Sequence, residues 1–265
     1  MGVMLGLLLI EFPIVLKIGQ TGISFHLLLE WLAFFTGFRY FLYLRTKNGD
    51  VLETGSRMAI LVGAILGSFL GSRIIGGLEN TSALKDTTSY WLYFYENKTI
   101  LGGLLGGLLG VEVVKKFIGV KQASGDLFVY PLLLAMIIGR IGCFSMGMYE
   151  ETYGIPTSLP WALNLGDGVK RHPVVLYEII FLLNTWLFLK FLDKKIYWQQ
   201  GARFKVFMIA YCLFRFFLDY LKPRYSLWVG MSAIQMASLS GIIYYYRYFL
   251  KPSRLIHKQA KVTLK

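Results

Sequence analysis

The stretch YPLLLAMIIGRIGCFSMGM, residues 130–148, is a helix-length apolar run that carries one charge, Arg140. A run of that length crosses a hydrocarbon core of about 30 Å as an α-helix. A guanidinium at membrane depth is costly, and it faces a partner, a cavity or a job. Downstream, RHPVVLYE (residues 171–178) brings His172, Tyr177 and Glu178 into the next apolar run. Polar groups at the mouths of two neighbouring membrane segments point to a site built at a bilayer surface.

The rest of the chain fits that reading. Its 265 residues are 55% hydrophobic and 16% charged, with a mean hydropathy of +0.54. Polytopic helical membrane proteins have this composition and soluble domains rarely do. Seven apolar segments are long enough to span, approximately 23–44, 58–76, 99–119, 126–147, 173–193, 203–222 and 230–250. The expected fold is therefore an all-α integral membrane protein, a single polytopic domain over residues 1–265. The connections 77–98, 148–172 and 223–229 are expected to form a small extracytoplasmic cap. The opening MGVMLGLLLIEFPIV lacks a basic n-region and a small-residue cleavage site, so it is expected to lie uncleaved at the interface.

Orientation follows from the basic residues. Arg45, Lys47 and Arg57, then Lys115, Lys116 and Lys121, then Lys194, Lys195, Arg203 and Lys205 fill every second connection. The tail adds Arg247, Lys251, Arg254, Lys258, Lys261 and Lys265. Basic connections stay in the cytoplasm, which leaves the N-terminus outside and the C-terminus inside. The net charge of +13 is thus accounted for by topology and anionic membrane lipids. With no basic aromatic stripe or soluble domain, nucleic acid is not an expected partner.

The two cysteines, Cys143 and Cys212, sit inside apolar runs and read as small buried side chains. His26, His172 and His257 are spread along the chain, so no metal cluster is visible in the spacing. No metal or organic cofactor is expected. In LGGLLGGLLG (101–110), glycines four apart line one helix face, and Gly63, Gly67 and Gly71 repeat the pattern. Close helix packing is the simpler reading, and room for lipid tails the functional one.

His26, Glu30, Arg73, Glu112, Arg140, Glu178, Arg215 and Asp219 lie within or beside the spans. That is many ionisable groups for a bundle without a polar interior. His26 and Glu30 are four apart, as are Arg215 and Asp219, so each pair shares a helix face and is able to satisfy itself. Glu112 is expected to pair with a neighbouring lysine. Arg140 and Arg215 come from spans whose outer ends face the same side. Arginine binds phosphate in a forked, permanently charged geometry. Two of them suit a phospholipid head group or a departing phosphate, with Arg73 as a third contributor.

At these residues the chain resembles the prolipoprotein diacylglyceryl transferase family. The matching pieces are GRIGCF (139–144), YG (153–154), PW (160–161), RHPVVLYE (171–178) and FRFFLD (214–219). LGGLLGG (101–107) and GSFLGSR (67–73) match more weakly. The resemblance implies transfer of a diacylglyceryl group from phosphatidylglycerol to the cysteine thiol of a prolipoprotein signal peptide, releasing glycerol 1-phosphate. It implies a bacterial cytoplasmic (inner) membrane location. Arg140, Arg215 and Gly154 match the family's motif residues. Asp219 stands where the family usually has Glu, and Lys222 where a further Arg is common. The family's His before Gly-Gly is Leu101 here, its Asn in Gly-Arg-x-Gly-Asn is Cys143, and its Tyr of the first span aligns loosely with His26. The family's loop Glu corresponds to Glu150 or Glu151.

The resulting expectation is a catalytic set of His26, Arg140, Arg215 and Asp219, with Glu30 orienting the His26 ring. Substrate contacts are expected from Arg73, Gly102, Gly103, Cys143, Glu150, Gly154, His172, Tyr177 and Glu178. The alternatives are a related glyceryl or phosphoglyceryl transferase with another acceptor, and a non-catalytic lipid-binding or transport protein. The absence of an evident repeat among the spans speaks against transport.

Overall fold

The computed structural model describes residues 11–18, 21–223 and 226–257. The first ten residues of the expected interfacial segment, and Lys258, Lys261 and Lys265 of the basic tail, lie outside the described residues.

Helices occupy all seven apolar segments. They are α1 (Phe25–Asn48), α2 (Thr54–Gly77), α5 (Ile100–Phe117), α6 (Val129–Met146), α7 (Val174–Asp193), α8 (Ala202–Leu218) and α9 (Ala233–Tyr244), the last continued by α10 (Tyr246–Leu250). The short helices α3 (Thr81–Asp86) and α4 (Tyr90–Glu96) fill the connection after α2. Four helical segments are long and apolar enough to cross a membrane: 25–48, 54–77, 126–149 and 174–193. The protein is thus a multi-pass helical membrane protein.

Two hairpins modify the all-α expectation. Strands β1 (Val15–Ile18) and β2 (Thr21–Ser24) pair antiparallel just before α1. Strands β3 (Leu163–Asn164) and β4 (Lys170–Arg171) pair within the 148–172 connection. The first hairpin is tied to the end of α6, where the Ile14 amide donates to the Ser145 carbonyl at 2.8 Å. Gly147, with φ of 58°, lets the chain turn under the 148–172 connection, and a Cβ there would stand 2.3 Å from the Leu165 carbonyl oxygen.

Local chemistry sets the helix ends. Thr99 accepts from the Gly102 amide at the start of α5, and Ser232 and Gln235 form a capping box on α9. The N-terminus of α8 is capped from elsewhere: Asp126 accepts from the amides of Gly201 and Phe204 at 2.7 and 3.0 Å. That carboxylate also meets the positive end of the helix dipole.

The glycine rows are packing surfaces. A Cβ on Gly102, Gly106 or Gly110 would meet the carbonyl oxygen of Gly71, Gly67 or Gly63 at 2.4, 2.2 or 2.1 Å. Only glycine allows α2 and α5 to approach backbone to backbone. The apolar core lies where α5–α9 meet, around Leu101, Leu133, Leu182, Phe207 and Ile234. Outward faces are equally apolar: Trp31, Phe34, Ile65 and Leu187 are 71%, 70%, 65% and 66% exposed. Lipid covers such faces in a membrane protein.

Candidate active site

Glu178 is the centre of the buried charge. It lies one turn into α7 and is 1% exposed. Its Oε1 is 3.0 Å from Nε of Arg140 on α6, an ion-pair contact, and accepts the Tyr211 hydroxyl at 2.7 Å. Its Oε2 accepts from Nη1 of Arg215 on α8 at 3.1 Å. Both arginines are buried, at 6% and 5% exposure. A single carboxylate cannot neutralise two guanidiniums, so the trio retains one positive charge in a low-dielectric setting. Such a charge favours a phosphate anion.

Tyr211 was not singled out in the sequence. It is four residues before Arg215 and therefore on the same face of α8, so helical spacing carried the signal. Arg215 does not pair with Asp219, as the i,i+4 spacing suggested. The chain enters a 3₁₀ turn at Asp219, whose Oδ2 accepts the Ser232 hydroxyl at 2.5 Å. Asp219 thus ties the end of α8 to the N-cap of α9.

A second cluster adjoins the first through Cys143, one turn after Arg140. Arg140 Nη1 is 3.7 Å from Cys143 Sγ, and Cys143 is 3.5 Å from Glu150 Oε1. His26 Nδ1 faces Glu150 Oε2 at 3.5 Å, and its Nε2 faces Glu30 Oε2 at 3.8 Å. Lys98 holds the other Glu30 oxygen at 2.6 Å. Gly142 makes room for the ring, since a Cβ there would be 3.2 Å from His26 Nδ1. Cys143 is accordingly more than an apolar filler, whereas Cys212 packs against Gly241.

The remaining expected residues lie around these clusters. His172 Nδ1 and Trp161 Nε1 both meet the Tyr177 hydroxyl, at 3.2 and 2.7 Å. Gly154 admits the close pass of the His172 backbone, where a Cβ would be 2.3 Å from the His172 carbonyl oxygen. His172 and Trp161 fasten the 148–172 connection to α7 through Tyr177. Arg73 lies over the rings of Phe69 and Tyr95, at 5.4 and 5.0 Å, rather than on Glu178. Gly102 is packed against α2, while Gly103 has its nearest such atoms at 3.7 Å and retains space. Leu101 is 1% exposed within the apolar core. Glu112 pairs with Lys115 at 3.1 Å, as expected.

Lys222 pairs with Glu79 at 2.8 Å beside Glu151 and Tyr153. Burial acts to raise the Glu79 carboxyl, but Lys222, with Arg215 and Arg140 behind it, holds it below the usual carboxylate range.

Helices that bury two arginines on one carboxylate, beside a thiol, an imidazole and further acids, define a multi-pass membrane protein with a buried charged centre. The chain belongs to the prolipoprotein diacylglyceryl transferase family, whose profile matches residues 13–250. It is similar to the phosphatidylglycerol–prolipoprotein diacylglyceryl transferase of Aliivibrio salmonicida, 30% identical over 87% of this chain and 84% of that protein. The proteins of the same name from Finegoldia magna and Leifsonia xyli are 35% and 28% identical, over 54% and 58% of this chain. Those two matches span 57% and 49% of the relatives' own lengths.

Proposed function

We propose that this chain moves a diacylglyceryl group from phosphatidylglycerol to the cysteine thiol of a prolipoprotein signal peptide, releasing glycerol 1-phosphate. The observation that carries this reading is the pair of buried arginines sharing Glu178. In the reaction a thiolate attacks a glyceryl carbon, the carbon–oxygen bond to phosphate breaks, and the phosphate monoester leaves with the electron pair. Arg140 and Arg215 hold that phosphate as its charge grows, with Glu178 and Tyr211 fixing the guanidiniums.

His26 is the proposed thiol-activating residue, with Glu30 orienting its ring, and Cys143 and Glu150 line the thiol side. Asp219 positions Arg215 through the end of α8. His172, Tyr177 and Gly154 hold the loop over the site, Arg73 contacts the lipid with its aromatic neighbours, and Gly103 borders the acyl chains while Gly102 seats α5 on α2. The bundle is a single polytopic domain of seven spans, N-terminus outside and C-terminus in the cytoplasm of a bacterial inner membrane. Support for that topology comes from helices in all seven segments and basic residues in alternate connections.

A second reading, a related transferase with another acceptor, is favoured by Leu101, which occupies the core where the family has a proton-accepting His. A bacterial host depleted of its own enzyme separates the two. Expression of this chain should restore labelled-lipid incorporation into a lipoprotein precursor. No incorporation in well-expressed protein would leave only the second reading.

A further inference from the structure

Three potential ligand atoms meet where α1 crosses the end of α6. His26 Nδ1, Cys143 Sγ and a Glu150 carboxylate oxygen lie within 4.8 Å of one another. Ligands bonded to one tetrahedral zinc at its usual bond lengths stand about 3.3–3.8 Å apart. Cys143 Sγ is 3.5 Å from Glu150 Oε1 and His26 Nδ1 is 3.5 Å from the other carboxylate oxygen, Oε2, so the carboxylate reaches the two ligands with different oxygens.

The Cys143 thiol donates to Glu150 Oε1, but the His26–Glu150 contact is not a hydrogen bond. His26 Nδ1 and Glu150 Oε2 are buried and have no hydrogen-bond partner among the described residues, though they face each other. Two lone-pair atoms so placed repel unless a proton or a cation lies between them. The groups behind them have the form of an outer shell. Glu30 stands at the far nitrogen of His26, where a carboxylate fixes the tautomer of a metal-bound imidazole. Arg140 stands beside Cys143 Sγ, where an N–H stabilises a bound thiolate. A thiolate, a carboxylate and a neutral imidazole together balance a divalent charge, and this mixed soft and borderline set suits zinc.

We propose that His26, Cys143 and Glu150 bind a zinc-class divalent cation whose fourth ligand is the acceptor thiol. Three protein ligands leave one tetrahedral position open, the arrangement of catalytic rather than structural sites. The incoming thiol loses its proton to water at the membrane surface as it coordinates. Its sulfur lone pair then forms the bond to the glyceryl carbon, and the departing phosphate takes the electron pair of the broken carbon–oxygen bond. The metal keeps its oxidation state. The proposal takes its substrate from the function above; the binding site itself does not depend on it. His26 then acts through the cation instead of as a free base, which removes the need for a His at position 101.

The test uses the full chain purified in detergent, titrated with zinc and separately with cobalt(II). The expected result is about one equivalent bound per chain, with a thiolate-to-cobalt charge-transfer band in the near ultraviolet. Cys143→Ala should abolish the band, and His26→Gln and Glu150→Gln should weaken binding at least tenfold. Arg215→Ala, outside the trio, should bind metal normally. Wild-type protein that binds no stoichiometric metal, or a Cys143→Ala variant that keeps the band, overturns the site. Full-rate transfer by chelator-treated, metal-free protein overturns it too and leaves the function standing. Metal-loaded protein that transfers no lipid to a thiol peptide overturns the function and leaves the site.

Discussion

Arg215 donates from Nη1 to Oε2 of Glu178 at 3.1 Å, so that one carboxylate on α7 holds a guanidinium from α8 while also facing Arg140 on α6. Its removal would strand two buried cations. Glu178→Ala is therefore expected to destabilise the protein by about 3–5 kcal/mol, since an unpaired buried charge costs that much. Thermal unfolding in detergent measures it. Glu178→Gln keeps the shape and the Tyr211 contact, and should lose less.

Arg140→Lys keeps a positive charge but loses the fork. Transfer should fall about 10²–10³-fold, the scale for loss of one transition-state donor. The loss should appear in kcat more than in KM, because the phosphate gains charge only as it departs. Initial rates against donor concentration separate the two.

Two glycines of α5, three residues apart, should respond in opposite ways. Gly106→Ala places a Cβ 2.2 Å from the Gly67 carbonyl oxygen, and α2 must move away. Gly103→Ala meets nothing closer than 3.7 Å. The first variant should be recovered poorly from membranes and the second at wild-type yield, read by fluorescence-detected size exclusion.

The Glu79–Lys222 pair gives a pH signature. The Glu79 carboxyl is held below its unfolded value, so its contribution is complete above the unfolded value and is lost as pH falls through the folded one. Detergent-solubilised protein should be less stable below about pH 5, and Glu79→Gln should flatten that loss. Unfolding midpoints across the acid range check it.

The helices were legible in the sequence because each apolar run is helix-length and each alternate connection is basic. Arg140 and Glu178 were legible as costly charges in a membrane, but their pairing was not, because it joins two helices. Local spacing misled at Asp219: the helix tightens there, and the carboxylate turns to Ser232 while Arg215 finds Glu178. His26, Cys143 and Glu150 were named from the family resemblance, but their meeting was not legible for the same reason, since it depends on the packing of α1 on α6. Asp193 on α7, which takes Tyr130, Trp198 and Arg203 at 2.7 Å each, likewise gave no local signal.

The central claim is that Arg140 and Arg215 hold the phosphate that departs from the lipid. The most direct measurement follows glycerol 1-phosphate released from head-group-labelled phosphatidylglycerol by purified protein with a lipobox cysteine peptide. Release should match peptide lipidation one for one and fall by about three orders of magnitude in Arg140→Ala and in Arg215→Ala, provided both remain folded. Release at the wild-type rate in either folded variant would contradict the account.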